Sequence, residues 1–466
     1  MNGACRARIL LSIGLLSILF CLAGLSGCES KGCGRRSSSQ PTSPSPASQK
    51  IQHIVVIFQE NRTPDNLFHG LPNADIATSG INSQGQTIPL TPVSLVTNYD
   101  LDHTHKGFRT MWDGGRMDGA DKNSLKCPGG TAACPPNAQF KYVNPSEVAP
   151  YFQLAQTYTF CDRMFQTNQG PSFPAHQFII SGTSAPTANT ESCAAENPGG
   201  VSELDAFFNT GCTAPAGETV AILDTSGNES QKLYPCFEHA TLTDELDAKN
   251  ISWKYYAPSA GIIWNGPNAI KHMCVPDATG TLCTGSDWKN HVVLNQTQVL
   301  TDIAGGNLPT VSWVIPTAQA SDHPQKNTGL GPSWVASVVN SIGNSAYWSS
   351  TAIFITWDDW GGWYDHVAPP IISSYEYGFR VPLIVVSPYA KAAFVSHQTH
   401  DFGSILKFIE ETFGLPIVGY ADANADDLSD AFNFQQTPLT FQAITAQYDA
   451  TYFLTHKMPA EGPDDD

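Results

Sequence analysis

Four runs of apolar residues stand out along the chain, and polar or turn-forming positions bound each of them. Residues 51–58 read IQHIVVIF, and residues 352–357 read AIFITW. Both runs are β-branched or aromatic and nearly continuous in apolar character, which is typical of strands covered on both faces. Shorter runs of this kind occupy residues 311–315 and 381–386. The pattern predicts a buried, largely parallel sheet.

Patterns with helical periodicity separate these strands. Asp401 can cap a helix whose apolar positions recur at helical spacing through residues 405–413. Residues 145–156 and 332–342 show similar spacing. Strands that alternate with helices predict the α/β class. Residues 190–285, approximately, are richer in turns and cysteines, so we expect mixed strand and loop insertions on the same domain there.

Polar side chains follow several strands at the point where each strand ends. Glu60 and Asn61 follow the first run, and Asp358 and Asp359 follow residues 352–357. Ligands bind outside the carboxyl ends of parallel strands, so these residues are expected at one shared site. Neighbouring carboxylates repel each other unless a proton or a cation lies between them, which favours a divalent metal. The alternative is that Asp358 begins a turn and Asp359 is solvated.

The N-terminus has the features of an export signal. Arg6 and Arg8 precede an apolar run over residues 9–25, too short and too abruptly ended for a convincing membrane span. Residues 25–28 read LSGC, which resembles a bacterial lipobox and predicts lipidation of Cys28 after removal of a signal peptide, residues 1–27. The alternative is an ordinary signal peptide with an incidental cysteine. The protein is predicted to be exported and lipid-anchored to a bacterial membrane, facing the periplasm or the cell exterior.

The amino-acid composition divides the rest of the chain into a tether, a folded domain and a tail. Residues 28–50 are rich in Ser, Pro, Gly and Gln and are predicted to form a flexible tether. The folded domain is expected over residues 51–456, and residues 457–466 form an acidic tail. The 24 Lys and Arg residues against 42 Asp and Glu residues give a net charge of −18, which argues against nucleic-acid binding.

The cysteines predict disulfides rather than a metal finger. Cys127 and Cys134 flank one short loop, and Cys274 and Cys283 flank another, so these two pairs are the first candidates. Cys33, in the tether, is expected to be free or irrelevant. Four other cysteines leave three connectivities open: Cys161, Cys193, Cys212 and Cys236.

A serine and several histidines are candidates for chemistry. Ser172 follows a Gly-Pro turn before an apolar stretch, which is a plausible nucleophile position, although a helix cap is the commoner role. His103, His105, His323 and His366 each lie near an aspartate that can orient an imidazole as a proton donor or a metal ligand. Taken singly, each is more commonly a surface or core histidine.

Five segments in order resemble the phosphoesterase family that contains bacterial phospholipases C and acid phosphatases. They span residues 51–70, 100–119, 162–183, 357–370 and 379–390 and include IQHIVVIFQENRTPDNLFHG, DHTH, NQGPSFPAHQ, WDDWGGWYDH and FRVPLIVVSPYA. The resemblance implies an alkaline-phosphatase-like fold, an α/β/α sandwich with a largely parallel central sheet. It also implies a hydrolase that acts on phosphate esters.

The resemblance assigns roles residue by residue. It implies one divalent metal of unknown identity, held by Glu60, Asn61, Ser172, Asp358 and Asp359. Ser172 corresponds to a nucleophile that forms a phosphoserine intermediate. His103 and His323 correspond to histidines that face the phosphate, and His272 is a weaker candidate for the same shell.

The implied substrate is a phospholipid such as phosphatidylcholine, cleaved as by a phospholipase C. Two alternatives are an acid phosphatase that acts on soluble phosphomonoesters and a non-catalytic, surface-binding lipoprotein. The chain departs from many relatives after the nucleophile, where Pro174, Ala175 and His176 replace Pro-Asn-Arg. Trp360 replaces a histidine, and residues 357–364 contain aromatic side chains that either line the mouth of the site or pack in the core.

Overall fold

A computed structural model describes residues 32–37, 42, 45–131, 133–200 and 209–459, together with the backbone of residue 132. Its central feature is an eight-stranded sheet. In chain order the strands are β1 (His53–Gln59), β2 (Thr159–Cys161), β3 (Trp253–Tyr256), β4 (Val292–Val293), β5 (Val311–Val314), β6 (Thr351–Trp357), β7 (Leu383–Val386) and β8 (Phe394–Ser396). Their spatial order is β4-β3-β5-β1-β6-β7-β2-β8, and β7 alone among them runs antiparallel to its neighbours.

Helices cover both faces of this sheet, which confirms the predicted α/β class with a largely parallel sheet. The helices are α1 (Pro64–Leu67), α2 (His105–Trp112), α3 (Ala149–Thr157), α4 (Ser172–Ser181), α5 (Leu242–Ala248), α6 (Gly266–Ala269), α7 (Lys271–Cys274), α8 (Ser286–His291), α9 (Gln298–Ala304), α10 (Gly331–Gly343), α11 (Phe402–Phe413) and α12 (Ala450–Thr455). One group packs α10 against α3, α9 and α12, and another packs α4 against α6 and α11.

The central strands are buried because their side chains are apolar on both faces. Every residue of β6 is buried, and in β1 only His53 reaches partial exposure. β-branched and aromatic side chains fill the space between this sheet and the helices. Asp401 caps α11 as predicted: its side chain accepts the Ser404 N–H, and the Ser404 side chain completes a capping box.

Shorter strands form small sheets that are separate from the central sheet. Within the cysteine-rich part of the chain, Cys193–Ala194, Val220–Leu223 and Gln231–Leu233 form a three-stranded antiparallel sheet. Three further strand pairs join Ser79–Ile81 to Thr87–Pro89, Thr91–Val93 to Lys141–Val143, and Asp100–Leu101 to Leu125–Lys126. None of the described helices has the length and hydropathy that a membrane span requires.

The disulfides confirm two predicted pairs and correct another prediction. Cys127–Cys134 and Cys274–Cys283 are bonded as expected, and Cys212 pairs with Cys236. Cys33 is bonded to Cys193, so the expectation that Cys33 is free was wrong, and none of the three connectivities weighed for the other four cysteines occurs. Cys161 is buried and reduced.

The described parts of residues 28–50 also differ from a flexible tether. The Thr42 hydroxyl donates to the carbonyls of Glu410 and Leu415, and the Arg36 guanidinium contacts the Glu376 carboxylate. Sequence composition misses this because the binding partners are distant in the chain. Cys28 and the predicted signal peptide, residues 1–27, lie outside the described residues, as do residues 460–466 of the predicted tail.

A buried arginine connects four of the five resembling segments. Arg380 is fully buried and forms a bidentate pair with Asp365, with nitrogen–oxygen distances of 2.9 and 3.0 Å. It also donates to Asp65 at 3.3 Å and to the carbonyl of Asp162 at 2.8 Å. His366 closes the cluster, with its Nδ1 atom 2.8 Å from the Asp65 carboxylate. Removing one partner of a buried ion pair is strongly destabilising, because the other charge is left buried and unpaired. This cluster therefore fixes the loops that follow β1 and β6.

His366 makes the stability of this cluster depend on pH. Burial lowers the pKa of His366, but the carboxylates of Asp65 and Asp365 outweigh burial and raise it to about 9 from 6.5. The stabilisation is therefore complete below about pH 6.5 and is lost as pH rises through about 9. We predict that His366→Gln lowers the free energy of unfolding by about 1 to 2 kcal/mol at pH 6 and by much less at pH 9.5. Urea unfolding at both pH values measures this, with the exposed His456→Gln as the control; a loss that is equal at both pH values contradicts it.

Candidate active site

Two neighbouring strands deliver acidic residues to the same place. In the register of β1 and β6, Gln59 lies opposite Trp357, and the Asp358 N–H donates to the Gln59 carbonyl at 2.9 Å. Glu60 and Asp358, each one residue beyond this pair, therefore emerge side by side. Both are fully buried, as is Asp359. The structure thus brings together the residues that follow these two strands.

Asn61 connects the two strand ends. Its backbone N–H donates to Asp358 Oδ1 at 3.0 Å, and its side-chain Nδ2 donates to both oxygens of Asp359 at 3.1 and 3.2 Å. Its φ angle of 62° is left-handed, a conformation that asparagine tolerates better than most residues. Gly361 packs so closely on the Asn61 carbonyl that a side chain there would overlap it. The turn after β6 therefore requires glycine at position 361.

Ser172 begins helix α4, directly after Pro171. Its Oγ atom is buried and donates to Asp359 Oδ2 at 3.4 Å. The first turn of a helix carries a partial positive charge and favours anions. Ser172 thus places a buried hydroxyl group at the positive end of a helix, next to Asp359.

His176 belongs to the same site, although it was absent from the predicted ligands. Its Nε2 atom lies 3.2 Å from Glu60 Oε1 and 3.9 Å from Asp358 Oδ2. Burial lowers the pKa of His176 to about 4, against the opposing effect of the Asp358 carboxylate, so the ring is neutral at physiological pH. The signal was present in the sequence, because residues four apart on a helix share a face and His176 is four positions after Ser172.

The residues present fit a divalent cation. Ligand atoms of Glu60, His176 and Asp358 all lie within 4.8 Å of one another. Asn61 Oδ1 and Asp358 Oδ2 are buried, and the described part of the chain offers neither of them a hydrogen-bond donor. Buried oxygens of this kind next to three buried carboxylates are the donor set of a hard cation, and the imidazole also suits zinc or iron.

Two predicted histidines meet beside Asn61. The rings of His103 and His323 are 5.9 Å apart, and Asn61 Nδ2 lies 3.1 Å from His103 Nε2. In each ring Nδ1 faces a backbone carbonyl, of Leu101 at 2.8 Å and of Pro324 at 2.6 Å. A carbonyl only accepts hydrogen bonds, so Nδ1 carries the proton in both rings and the Nε2 atoms are the reactive ones.

Buried groups behind His323 hold its loop in place. The Arg62 guanidinium donates twice to the Asp322 carbonyl, at 2.7 and 3.0 Å. The Asp322 carboxylate accepts hydrogen bonds from Tyr151 at 2.9 Å and from Trp357 at 3.0 Å. Burial raises the pKa of Asp322 to about 6 despite the nearby arginine. The third residue of the Glu-Asn-Arg segment therefore acts as a positioning residue for the histidine loop.

Three other candidate histidines lie elsewhere. His272 pairs with Glu238 at 2.8 Å and with Asp244 at 3.4 Å and is partly exposed, so the geometry gives no support to a role at the phosphate. His105 contacts Glu229, and His366 belongs to the Arg380 cluster. Sequence proximity to an aspartate did not distinguish these histidines from His103 and His323.

The aromatic residues at the end of β6 and directly after it pack in the core and do not line an opening of the site. Trp357, Trp360 and Trp363 are fully buried, and Tyr364 is nearly so. Trp363 stacks on the Arg62 guanidinium at 5.0 Å. Trp264, which was not among the predicted site residues, also borders the site. Its ring lies 6.0 Å from the ring of His323 and 6.5 Å from that of His176.

Comparison with known proteins places this site in a family. Residues 51–416 match the model of the Phosphoesterase family. The chain therefore belongs to the Phosphoesterase family, and the resemblance seen in its five segments is confirmed.

The similar proteins include phospholipases C. The chain is 24% identical to a non-hemolytic phospholipase C of Pseudomonas aeruginosa, over 89% of this chain and 62% of that protein. It is also 24% identical to phospholipase C B of Mycobacterium tuberculosis, over 83% of this chain and 78% of that protein. The chain thus spans about three fifths of the length of the Pseudomonas relatives.

Solved structures with related folds are more distant. A protein in the alkaline phosphatase superfamily from Vibrio parahaemolyticus is 9% identical, with a TM-score of 0.38, over 86% of this chain and 78% of that chain. The α/β assignment therefore stands on the sheet order and strand directions described above.

The acidic cluster predicts a measurable dependence on metal. We expect Asp358→Asn to weaken divalent-metal binding by about 10- to 100-fold, because it removes one ligand charge and the repulsion that a cation relieves. Metal content after dialysis and the shift of melting temperature on adding EDTA measure this. Asp287→Asn, in the peripheral helix α8, is the control. Equal metal content and equal EDTA sensitivity in the Asp358 variant and the wild type would contradict the assignment.

Proposed function

We propose that the protein is a metal-dependent phosphoesterase of the phospholipase C type that hydrolyses phosphate ester bonds through a phosphoserine intermediate. The observation that carries this proposal is the position of Ser172. Its hydroxyl lies at the start of a helix, 3.4 Å from Asp359, beside the buried ligand group of Glu60, His176 and Asp358. A nucleophile, an anion-favouring helix end and a cation site within one cluster are the requirements for phosphoryl transfer.

The proposed reaction starts with Ser172. As its oxygen attacks phosphorus, the hydroxyl proton passes to Asp359, which accepts a hydrogen bond from Ser172 Oγ. The bond to the leaving alcohol breaks and a phosphoserine forms; water then hydrolyses this ester, the phosphorylated product leaves, and Asp359 returns the proton to Ser172. Glu60, Asn61, His176 and Asp358 would hold a divalent metal, one ion in this proposal, which would lower the pKa of the hydroxyl and neutralise phosphoryl oxygens.

The two histidines are assigned the general-acid step and the stabilisation of the phosphoryl oxygens. With a second proton bound at Nε2, one of His103 and His323 protonates the leaving alcohol, and the other donates a hydrogen bond to the phosphoryl oxygens. Their rings lie 5.9 Å apart beside Asn61, which supports action on the same phosphate group. The polar groups behind them restrict their rings to one orientation.

The proposed substrate is a phospholipid, with diacylglycerol as the leaving alcohol. Phospholipases C of Pseudomonas aeruginosa and Mycobacterium tuberculosis are among the similar proteins, which supports this choice. The main alternative is an acid phosphatase of soluble phosphomonoesters, and the second alternative is a non-catalytic binding protein. The site contains a complete set of nucleophile, ligands and histidines, which favours catalysis over binding alone.

We also propose that the protein works outside the cytoplasm, attached to a membrane through lipidated Cys28. The four disulfides of the described chain suit an oxidising compartment. The LSGC segment at residues 25–28 supports lipidation. An anchored enzyme would find phospholipid within reach.

The nucleophile assignment is tested with Ser172→Ala. We expect this variant to lose at least about three orders of magnitude in turnover of p-nitrophenylphosphorylcholine and p-nitrophenyl phosphate, because it lacks the attacking oxygen. Ser181→Ala, at the other end of α4, is the matched control and should retain activity. Unchanged turnover in the Ser172 variant would overturn the mechanism.

The two model substrates also separate the candidate functions. Faster, EDTA-sensitive release from the diester p-nitrophenylphosphorylcholine is expected for a phospholipase C. Release from the monoester alone would make the protein a phosphatase. If folded and metal-loaded protein releases p-nitrophenol from neither substrate, the binding-only alternative is favoured.

The protonation step is tested by changing the leaving group. p-Nitrophenolate leaves without a proton, whereas diacylglycerol needs one, so loss of the general acid should slow phosphatidylcholine cleavage by about 100-fold or more and p-nitrophenyl release much less. We expect this contrast in one of the variants His103→Ala and His323→Ala. The other should lose similar activity on both substrates. If neither variant shows the contrast, the proton comes from another group.

A further inference from the structure

Trp264 carries a buried hydrogen-bond donor at the border of the candidate active site. Its side chain is fully buried, and its indole Nε1–H meets no hydrogen-bond acceptor in the described chain. We propose that this N–H group donates a hydrogen bond to a phosphoryl oxygen of the bound substrate, so that Trp264 is a further substrate-binding residue. This inference rests on the proposed function, because it takes the ligand of the site to be a phosphate ester.

A buried indole N–H without a partner is an unusual feature. The group can only donate, and buried donors normally have an acceptor. Without one, folding costs free energy, because the water that solvated the group in the unfolded chain is lost. Trp334 and Trp363 have N–H groups of the same kind within the described chain. The surroundings of Trp264, and not burial alone, therefore point to a ligand.

The rings beside Trp264 belong to two residues of the site. The centroid of its ring lies 6.5 Å from that of His176, a candidate metal ligand, and the two ring planes are 17° apart. The ring of His323, one of the two histidines assigned to the phosphate, lies 6.0 Å away. A phosphate group bound between the metal and His323 would therefore have the Trp264 ring as its neighbour.

Contacts with β3 and α4 hold the indole in this position. The Tyr255 hydroxyl, in β3, donates to the Trp264 carbonyl at 3.0 Å and lies 3.4 Å from His176 Nδ1. Two residues after Trp264, Gly266 packs so closely on the His176 carbonyl that a side chain there would overlap it. Trp264 and His176 are thus held in fixed positions relative to each other, and a donor that stabilises a phosphoryl group needs to be preorganised in this way.

The start of α4 offers few backbone donors of its own. The Phe173 N–H donates to Asn197 Oδ1 at 3.0 Å, and the next residue, Pro174, has no N–H. The Ala175 N–H donates to the Pro171 carbonyl at 3.4 Å. Because these groups are already used or missing, phosphoryl oxygens at this helix end need donors from nearby side chains.

An indole can also act as an apolar wall that excludes water from the site. That role depends on the shape of the fused rings and not on the N–H group. Replacing Trp264 by benzothienylalanine, introduced by stop-codon suppression, separates the two roles, because this side chain keeps both rings and has sulfur in place of the N–H. Trp264→Phe, which removes the donor and one ring, is the companion variant.

The test measures binding of inorganic phosphate to the metal-loaded full chain by isothermal titration calorimetry. We expect both Trp264 variants to bind phosphate at least about tenfold more weakly than the wild type, because each lacks a hydrogen bond to a charged oxygen. The matched control is Trp334→Phe, which loses a buried N–H in α10, where the ring packs against Phe453. The control should bind phosphate as tightly as the wild type. Cooperative thermal unfolding and metal content show that each variant is folded and loaded.

Phosphate binding requires no turnover, so this experiment is independent of the phosphoserine mechanism. If Ser172→Ala keeps full turnover, that mechanism fails, and the phosphate titrations still decide the role of Trp264. The inference about Trp264 is overturned if the wild type binds no phosphate. It is also overturned if the folded, metal-loaded benzothienylalanine variant binds phosphate as tightly as the wild type.

Discussion

Burial of negative charge at the ends of β1 and β6 is the constraint on which the rest of the site depends. Glu60, Asp358 and Asp359 are fully buried within one cluster. Their repulsion in a medium of low polarity is large unless a cation or proton compensates it. His176 is neutral and supplies a ligand rather than a charge. The arrangement therefore requires a compensating cation or proton, and the cation of the proposed mechanism would meet that requirement.

A second set of buried charges keeps that cluster in register. Arg380 binds Asp365, Asp65 and two backbone carbonyls, and Arg62 binds the carbonyl of Asp322. Each guanidinium joins segments that are far apart in the chain, and each is fully buried. Planar guanidinium groups with several fixed donors suit this role better than a flexible ammonium. Arg62 and Arg380 therefore hold in place the loops that carry the site residues.

The disulfide between Cys33 and Cys193 changes the picture of the N-terminal segment. It joins the segment before β1 to the cysteine-rich insertion, a separation of 160 residues. A cross-link over so long a loop removes much chain entropy from the unfolded state. The bond therefore fastens the described residues before β1 to the folded domain.

Patterns along the chain were enough to predict the fold class, the five family segments and most residues of the candidate site. Continuous apolar runs can be satisfied only as strands buried on both faces, and polar residues directly after such strands must gather at one edge of a parallel sheet. Glu60, Asn61, Asp358, Asp359 and Ser172 follow from that rule together with the family resemblance. The two short-loop disulfides were also predictable, because their cysteines are close in the chain.

The packing of distant loops, by contrast, had to be seen before the histidines could be placed at the site. Local sequence left His103 and His323 as plausible as His105 and His366, since an aspartate lies near each of them, and the family resemblance selected the first two without giving their distances. Their distances depend on how loops from distant strands pack, as do the Cys33–Cys193 bond and the pairing of His176 with Glu60. Contacts between distant segments depend on the packing of the whole core, which no local pattern of residues specifies.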